Sequence, residues 1–281
     1  EMCIRDRYWR IFLKRYFLMK LDLAPAEIGK LTSARRALDF VKPDMKLGLG
    51  TGSTAAWLVK LLAYEMRENG LKFDACATSS ATTQLAESLG IKINNIDELG
   101  QLDLAIDGAD EFDQNFNLIK GGGAALLQEK IVETAADQLI IITDASKQVK
   151  HLGAFALPIE IVKFGSATTQ RLVKHTLADQ DVDGRIVTRR GGKSPVETDE
   201  GHYILDLQLD RIGNPRALST ALLNIAGVVE TGLFLDMTNS IIMGDYNWRA
   251  LIKSSDSLNW VETYYDMSIF SDFLKGNKNE V

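Results

Sequence analysis

Short apolar runs that alternate with helix-length amphipathic stretches constrain this chain more than any other feature. Residues 45–49, 73–77, 102–106 and 139–143 each have strand length, and apolar residues recur at helical spacing in the stretches near them. Consecutive parallel strands need a crossover, which a helix supplies, so this alternation predicts a parallel sheet flanked by helices. The runs are followed by Gly50-Thr51-Gly52-Ser53-Thr54, Thr78-Ser79-Ser80, Asp107-Gly108-Ala109-Asp110 and Asp144-Ala145-Ser146-Lys147. In an open α/β sheet ligands bind outside the carboxyl ends of the strands. These hydroxyl-, acid- and lysine-bearing loops are therefore expected to converge on one crevice.

The densest chemistry lies between Asp107 and Lys130. Asp107 and Asp110 fall on a turn at the carboxyl end of the 102–106 run. Lys120 precedes Gly121-Gly122-Gly123, three residues that can take positive φ and let the backbone approach a ligand without Cβ interference. They feed a helix predicted over 124–136, whose N-terminus favours anions. Glu129 projects from the second turn of that helix. Glu111 and Asp113 are read as caps of the intervening turn.

The earlier glycine-rich loop fits neither common nucleotide signature. A dinucleotide fingerprint requires Gly-x-Gly-x-x-Gly, and the third position after Gly48-Leu49-Gly50 is Ser53; a phosphate-loop nucleotidase requires a lysine before Ser53, and none is there. The stretch is either an anion-binding strand-loop-helix or a tight turn. In the first reading the helix-opening Ser53 and Thr54 can cap backbone N–H groups, and the same N–H groups can hold a phosphate.

Beyond Gly153 the pattern changes. Strand character over 159–162, helix over 166–177, strands over 185–188 and 203–209, a helix opened by Asn214-Pro215 and a strand over 228–234 give the split β-α-β-β-α-β order. Residues 241–244 are expected to return to the first sheet. For 281 residues two domains are also the size expectation. The fold class is thus α/β: an open, mostly parallel sheet with helices on both faces, plus a smaller ferredoxin-like α+β domain. The boundaries are an extension over 1–20, an α/β domain over 21–153 with a return strand near 235–245, the ferredoxin-like domain over 154–234, and a tail over 246–281. That tail carries Trp248, Trp260, Tyr264, Tyr265, Phe270 and Phe273, too many aromatic residues for a solvated linker.

Charge and cysteine usage exclude several function classes. The formal charge is −6, and residues 1–20 hold six Lys/Arg against two acids, so the remaining residues carry −10. A nucleic-acid-binding body usually shows a basic face. The stretch 8–19 is too interrupted by charge to span a bilayer and lacks the uncharged core of a signal peptide. It reads as a surface amphipathic anchor or, preferably, as sequence upstream of a start at Met19. Cys3 and Cys76, with only three scattered histidines, make neither a disulfide framework nor a zinc-ligand spacing, which fits a reducing cytoplasm. His151, His175 and His202 are assigned surface or packing roles.

Taken together, Gly48-Leu49-Gly50-Thr51-Gly52-Ser53-Thr54-Ala55, Asp107-Gly108-Ala109-Asp110, Lys120-Gly121-Gly122-Gly123-Ala124-Ala125, Glu129-Lys130-Ile131 and Asp144-Ala145-Ser146-Lys147 resemble, in the same order, the type A ribose-5-phosphate isomerases. The resemblance covers about 26–244. It implies interconversion of ribose 5-phosphate with ribulose 5-phosphate in the pentose phosphate pathway, no metal or cofactor, and a homodimer or homotetramer; the charge, hydropathy and cysteine readings add a cytoplasmic location with no nucleic-acid or membrane partner. Carried over by position, it implies that Thr51, Gly52, Ser53, Thr54, Asp107, Gly108, Ala109, Asp110, Lys120, Gly121, Gly122, Gly123 and Lys147 line the substrate. Glu129 becomes the catalytic base, and Lys30 matches a further basic position.

The residue types suit that chemistry. Aldose-ketose isomerisation moves a proton between neighbouring carbons through an enediolate, which needs one base and a stabilised oxyanion. Partial burial would tune Glu129 for the first task; Lys120 and the Gly121 to Gly123 N–H groups suit the second. Asp107 and Asp110 are placed to move hydroxyl protons. Two rival readings are a sugar-phosphate sensor, which would lose the glutamate, and a nicotinamide-dependent dehydrogenase, which the missing third glycine opposes. Deleting residues 1–18 is expected to leave activity and melting temperature nearly unchanged, because an unmatched, charged terminus is seldom tied down. A large drop in melting temperature on truncation would show that the segment docks.

Overall fold

The computed structural model describes residues 23–257, 259–266 and 273–274. The N-terminal extension over 1–20 lies outside the described residues. Helix α1 (Pro25–Leu38) opens on a proline, which lacks the N–H that a first turn leaves unpaired. It is followed by β1 (Lys46–Leu49), α2 (Ser53–Asn69), β2 (Asp74–Ala77), α3 (Ser80–Ser88), the short α4 (Ile96–Leu99) and β3 (Leu104–Asp107). Two brief strands, β4 (Glu111–Phe112) and β5 (Leu118–Ile119), come before α5 (Leu126–Thr134) and β6 (Leu139–Asp144).

These strands form most of a seven-stranded sheet that is completed from the far end of the chain. There β12 (Ser240–Gly244) pairs parallel with β6, while β13 (Arg249–Ser254) and β14 (Val261–Tyr264) extend the edge antiparallel. The order is β14-β13-β12-β6-β3-β1-β2. From β1 the chain steps outward to β2 and then, through β3, builds in the opposite direction. The β1/β3 boundary is therefore the topological switch point, where successive loops part and leave a crevice.

Side-chain alternation sends the sheet's apolar residues to both faces. Leu47, Leu49, Leu104, Ile106, Ile140, Ile142 and Ile242 pack against Ile28, Leu31, Leu58 and Leu62 of α1 and α2. Ala105, Leu139, Ile141, Ile241 and Met243 pack on the other side against Phe112, Leu118, Leu126 and Phe234. Full burial of one such aliphatic or aromatic side chain contributes about 1.5–3 kcal/mol.

The second unit comprises β7 (Leu157–Ile161), α6 (Ser166–Thr176), β8 (Ile186–Arg189), β9 (Tyr203–Gln208), α7 (Pro215–Leu223) and β10 (Val228–Thr231). Its antiparallel sheet runs β10-β7-β9-β8, with the split βαββαβ connectivity. One expectation fails here. The run over 228–234 is not one strand, because β10 stays in this sheet while β11 (Leu233–Phe234) pairs with β5 in a three-stranded sheet, order β11-β5-β4. Gly232 makes the crossing: its N–H donates to Pro158 O at 2.7 Å and its carbonyl accepts from Lys120 N at 2.9 Å. A continuous apolar run carries no period that announces such a change of sheet.

The described residues of the aromatic tail join the main body. Trp248 is buried, and the Tyr265 hydroxyl donates to Asp39 Oδ2 at 3.1 Å. Phe273 sits edge-on to Trp57 and Tyr64, with ring centroids 6.4 and 5.6 Å away. Such edge-to-face contacts add to the area that the rings bury.

Helix α1 lies directly on β12. A Cβ added at Gly244 would come within 2.0 Å of Gly29 O and 2.7 Å of Ser33 N, both backbone atoms that cannot rotate away. Gly244→Ala is therefore expected to cost about 1–3 kcal/mol through overpacking, read as a lower denaturant midpoint at unchanged slope. An unaltered midpoint would show that α1 can slide on the sheet at no cost.

Candidate active site

A cavity of about 320 Å³ opens over the switch point, at the carboxyl ends of β1, β3 and β6. Three loops and one helix flank build it, each for a local reason.

The loop after β1 lies where a side chain could not. A Cβ on Gly50 would fall 2.1 Å from Asp107 Cγ, so the glycine makes room for that carboxylate. Asp107, at the end of β3, accepts from Thr51 N at 3.0 Å and Gly108 N at 2.6 Å through Oδ1, which ties the two loops together. Helix α2 then begins at Ser53 with Gly52 at its N-cap and no side-chain cap. The capping expected of Ser53 and Thr54 does not occur, and the start of this 17-residue helix lines the cavity with no side-chain cap on its first turn. The Thr51 hydroxyl turns away, to Thr78 Oγ1 and Ser79 Oγ, each at 2.7 Å.

Lysines accompany this helix end. Lys30 on α1 lines the cavity and is held by Glu27 Oε1 at 2.6 Å. Lys147 stands on the single turn after β6, where Asp144 Oδ1 accepts from Ser146 N at 2.8 Å. Ala26, Asp144 and Ser146 also line the cavity, although only the last two were part of a motif singled out in the sequence.

At the other end lies a buried charge cluster. Lys120, 2% exposed, donates from Nζ to Gly108 O at 2.7 Å. The same ammonium is 2.9 Å from Asp107 Oδ2, 3.2 Å from Glu133 Oε1 and 3.5 Å from Glu129 Oε2. Burial alone would depress this lysine's pKa, but Asp107, Glu129 and Glu133 outweigh it and hold the ammonium well above its usual range. Glu129 shows the opposite balance. Burial, then the charges of Asp107 and Asp110, overcome the pull of Lys120 and raise its carboxyl from 4.5 to about 7. Asp110 is also raised by burial, against the Gly122 N–H and the charges of Lys120, Lys147 and Arg190.

The glycine loop differs from expectation in one respect. The Gly122 N–H does not face an open site, because Asp110 Oδ2 accepts it at 2.7 Å. The loop is held from outside by Arg190, whose Nη1 donates to Gly121 O and Gly122 O at 3.0 Å while its remaining nitrogens bind Asp206. Arg190 comes from the small domain, and no spacing in the sequence connects it with residues 121–122. A helical i, i+4 relation to Glu129 marks Glu133, and that signal was available.

All the residues expected to line a substrate line the cavity except Asp107, which lies beneath its floor at 1% exposure. Asp113 does cap a turn, accepting from Asn115 N at 2.8 Å and Asn117 N at 3.0 Å. Glu111 instead reaches across to Gly153 N and Phe155 N, at the entry to the small domain. None of the three histidines lines the cavity; His202 pairs with the buried Glu160 at 2.9 Å. Burial pushes the Cys76 thiol up to about 11, which leaves it inert. Among the described residues no group of His, Cys, Asp and Glu is arranged to hold a metal.

An α/β fold whose cavity holds an uncapped helix N-terminus and a near-neutral buried carboxyl fits a class, enzymes that move protons on small anionic substrates. Comparison with known proteins specifies it further. The pattern of the ribose 5-phosphate isomerase A (phosphoriboisomerase A) family matches residues 74–247. Ribose-5-phosphate isomerase A of Cereibacter sphaeroides (strain KD131 / KCTC 12085) is 52% identical over 259 residues, spanning 90% of this chain and 99% of that one. Among solved structures, a D-ribose-5-phosphate isomerase in complex with phospho-erythronic acid superposes with a TM-score of 0.72 at 35% identity, over 79% of this chain and 96% of the other. The ribose 5-phosphate isomerase of Plasmodium falciparum gives 0.74 at 31% identity, over 81% and 98%. This chain belongs to the ribose-5-phosphate isomerase A family.

The raised Glu129 carboxyl has a signed consequence for stability. Between about 4.5 and about 7 the folded protein holds a proton that the unfolded chain has released, so stability falls as pH rises through this window. Replacing Glu129 with glutamine removes that penalty. The melting temperature of Glu129→Gln relative to the parent should therefore climb across the window and level off above it. A difference that is flat with pH would mean that Glu129 ionises as an exposed glutamate does.

Proposed function

We propose that the chain interconverts D-ribose 5-phosphate and D-ribulose 5-phosphate through an enediolate, as a step of the non-oxidative pentose phosphate pathway. The observation that carries this reading is Glu129, buried at the cavity wall with its pKa raised to about 7 and its oxygen 3.5 Å from the Lys120 ammonium. A carboxylate so tuned can both take and return a carbon-bound proton near neutral pH.

The rest of the cavity fits a sugar phosphate. The uncapped N-terminus of α2, with Lys30 and Lys147, suits a phosphate dianion. With the phosphate there, the sugar chain reaches toward Glu129. In the aldose-to-ketose direction Glu129 takes the C2 proton, the electron pair moves toward C1 and O1, and the resulting enediolate then receives a proton at C1. Lys120 supplies positive charge to the developing oxyanion. Asp110 lies within the cavity, next to the glycine loop, and is the group that moves protons between hydroxyls and opens the furanose ring. Asp107 acts from below, by holding Lys120 and the Thr51 loop in place. The phosphorylated sugar acid bound by a solved relative supports the same substrate class.

The reaction so written transfers only protons, and metal and cofactor have no step in it. We further propose that the protein works in the cytoplasm as a homodimer or homotetramer, without nucleic-acid or membrane partners. No described helix is long and apolar enough to cross a membrane, and the outer strand β14 exposes Val261 and Tyr264.

Ribulose 5-phosphate formation from ribose 5-phosphate, followed with a chelator present, tests the assignment. Glutamine keeps the shape of Glu129 but cannot accept the carbon-bound proton, so Glu129→Gln should lower turnover by about 10²–10⁴. Substrate binding should change little, because the phosphate and hydroxyl contacts remain. Exchange of the substrate's C2 proton with deuterated solvent should fall in parallel. A variant that binds, isomerises and exchanges near the parent rate would remove Glu129 from the role of base.

A further inference from the structure

Glu133 lies one helical turn beyond Glu129 on the same side of α5. Its side chain is fully enclosed and does not line the cavity. Neither carboxyl oxygen of Glu133 has a donor in hydrogen-bond geometry, whereas Asp107 and Glu129 both bond the Lys120 ammonium. Lys120 is within ion-pair distance of all three groups, and one of its three donors is spent on Gly108 O. Three ionised carboxylates around one ammonium would leave two negative charges uncompensated in a volume closed to water. Such an arrangement is strongly disfavoured.

One proton eases both problems, since it removes one of the two uncompensated charges and supplies a donor. Asp107 has no room for it: Oδ1 already accepts two backbone N–H groups and Oδ2 lies 2.9 Å from the Lys120 ammonium. Glu129 faces the cavity, where the proposed reaction needs it free to exchange a proton. Glu133 remains, and its carboxyl faces Asp107. We propose that Glu133 is held as a neutral carboxylic acid that donates its proton to Asp107 Oδ2. As a positioning residue it thereby limits the negative charge against which Glu129 must ionise.

The surroundings agree on the sign. Burial first, then Asp107 from β3 and Glu129 from the same helix, raise the ionisation of Glu133 well above the carboxylate range against the pull of Lys120. Lys130, the other cation that feels Glu133, is itself engaged by Glu230 Oε1, Thr231 O and Leu233 O. Asp110 acts on Glu129 from the cavity side. An ionised Glu133 would add a further negative charge beside Glu129 and keep it protonated above neutral pH.

Two measurements on the full chain test this. The kinetic one rests on the reading of Glu129 as base: the acid limb of the pH profile of kcat/KM should keep its midpoint in Glu133→Gln, because glutamine mimics the neutral acid. If Glu133 is ionised in the parent, Glu133→Gln deletes a neighbouring negative charge and moves that midpoint down by about one unit or more, which overturns the proposal. Glu133→Leu, which cannot donate to Asp107, should be slower than Glu133→Gln by about tenfold or more; equal rates in the two variants would overturn it as well. The second measurement does not depend on the reaction. At about pH 9, where a group titrating near 7 is ionised, the infrared spectrum of the folded parent should retain a protonated-carboxyl C=O band. Its absence refutes the proposal whether or not the chain isomerises ribose 5-phosphate and whether or not the variants fold.

Discussion

The ammonium of Lys120, enclosed with three carboxyl groups, is the interaction on which the rest of this structure depends. Removing a lysine from water costs several kcal/mol, and only close, well-oriented counter-charges offset it. The groups that surround it come from three parts of the architecture. Asp107 arrives at the end of β3, beside the switch point; Glu129 and Glu133 come from one side of α5; the Gly108 carbonyl comes from the turn between β3 and β4. Lys120 itself is anchored through its N–H to Gly232, the residue at which the chain leaves the small domain for the central three-stranded sheet. The Phe234 ring, 5.4 Å from the ammonium, closes another side. The charge cluster thus fixes how β3, β5, β11 and α5 meet.

That arrangement divides the cavity into two chemically different ends. One is made of backbone donors at the start of α2 together with Lys30 and Lys147, and suits a fixed dianion. The other buries a carboxyl and keeps it near neutrality, which suits proton transfer. The separation has a physical basis. A solvated helix end can hold an anion without large pKa shifts, whereas a base of useful strength requires burial and a controlled number of neighbouring charges. The small domain contributes through Arg190, which holds the glycine loop by its carbonyls and so couples the two units at the site.

Much of the main sheet was legible because its strands are separated by helices with clear apolar spacing, and because β1, β3 and β6 each end in polar loops. Glu129, Lys120, Asp110 and the 51–54 loop could be placed together on that ground alone. The strands β4, β5 and β11 were not legible. Each is two residues long, shorter than any period, and they exist only because they pair with one another. The run over 228–234 looked like one strand for the same reason: the backbone hydrogen bonds of Gly232, not a change in side-chain pattern, divide it.

The sequence by itself determined the alternation of elements, the polar loops at the strand ends and the chemical types gathered there, since these follow from local periodicity and from which residues can turn, cap or ionise. Tertiary structure decided how those residues function together. It left the start of α2 uncapped, sank Asp107 beneath the cavity floor, gave the Gly122 N–H to Asp110, and brought Arg190 and Glu133 into the site. Burial and the distances between charges belong to the folded chain alone. The same glutamate that ionises near 4.5 when exposed is moved to about 7 by burial and then by the charges around it, and no local stretch of sequence contains that information.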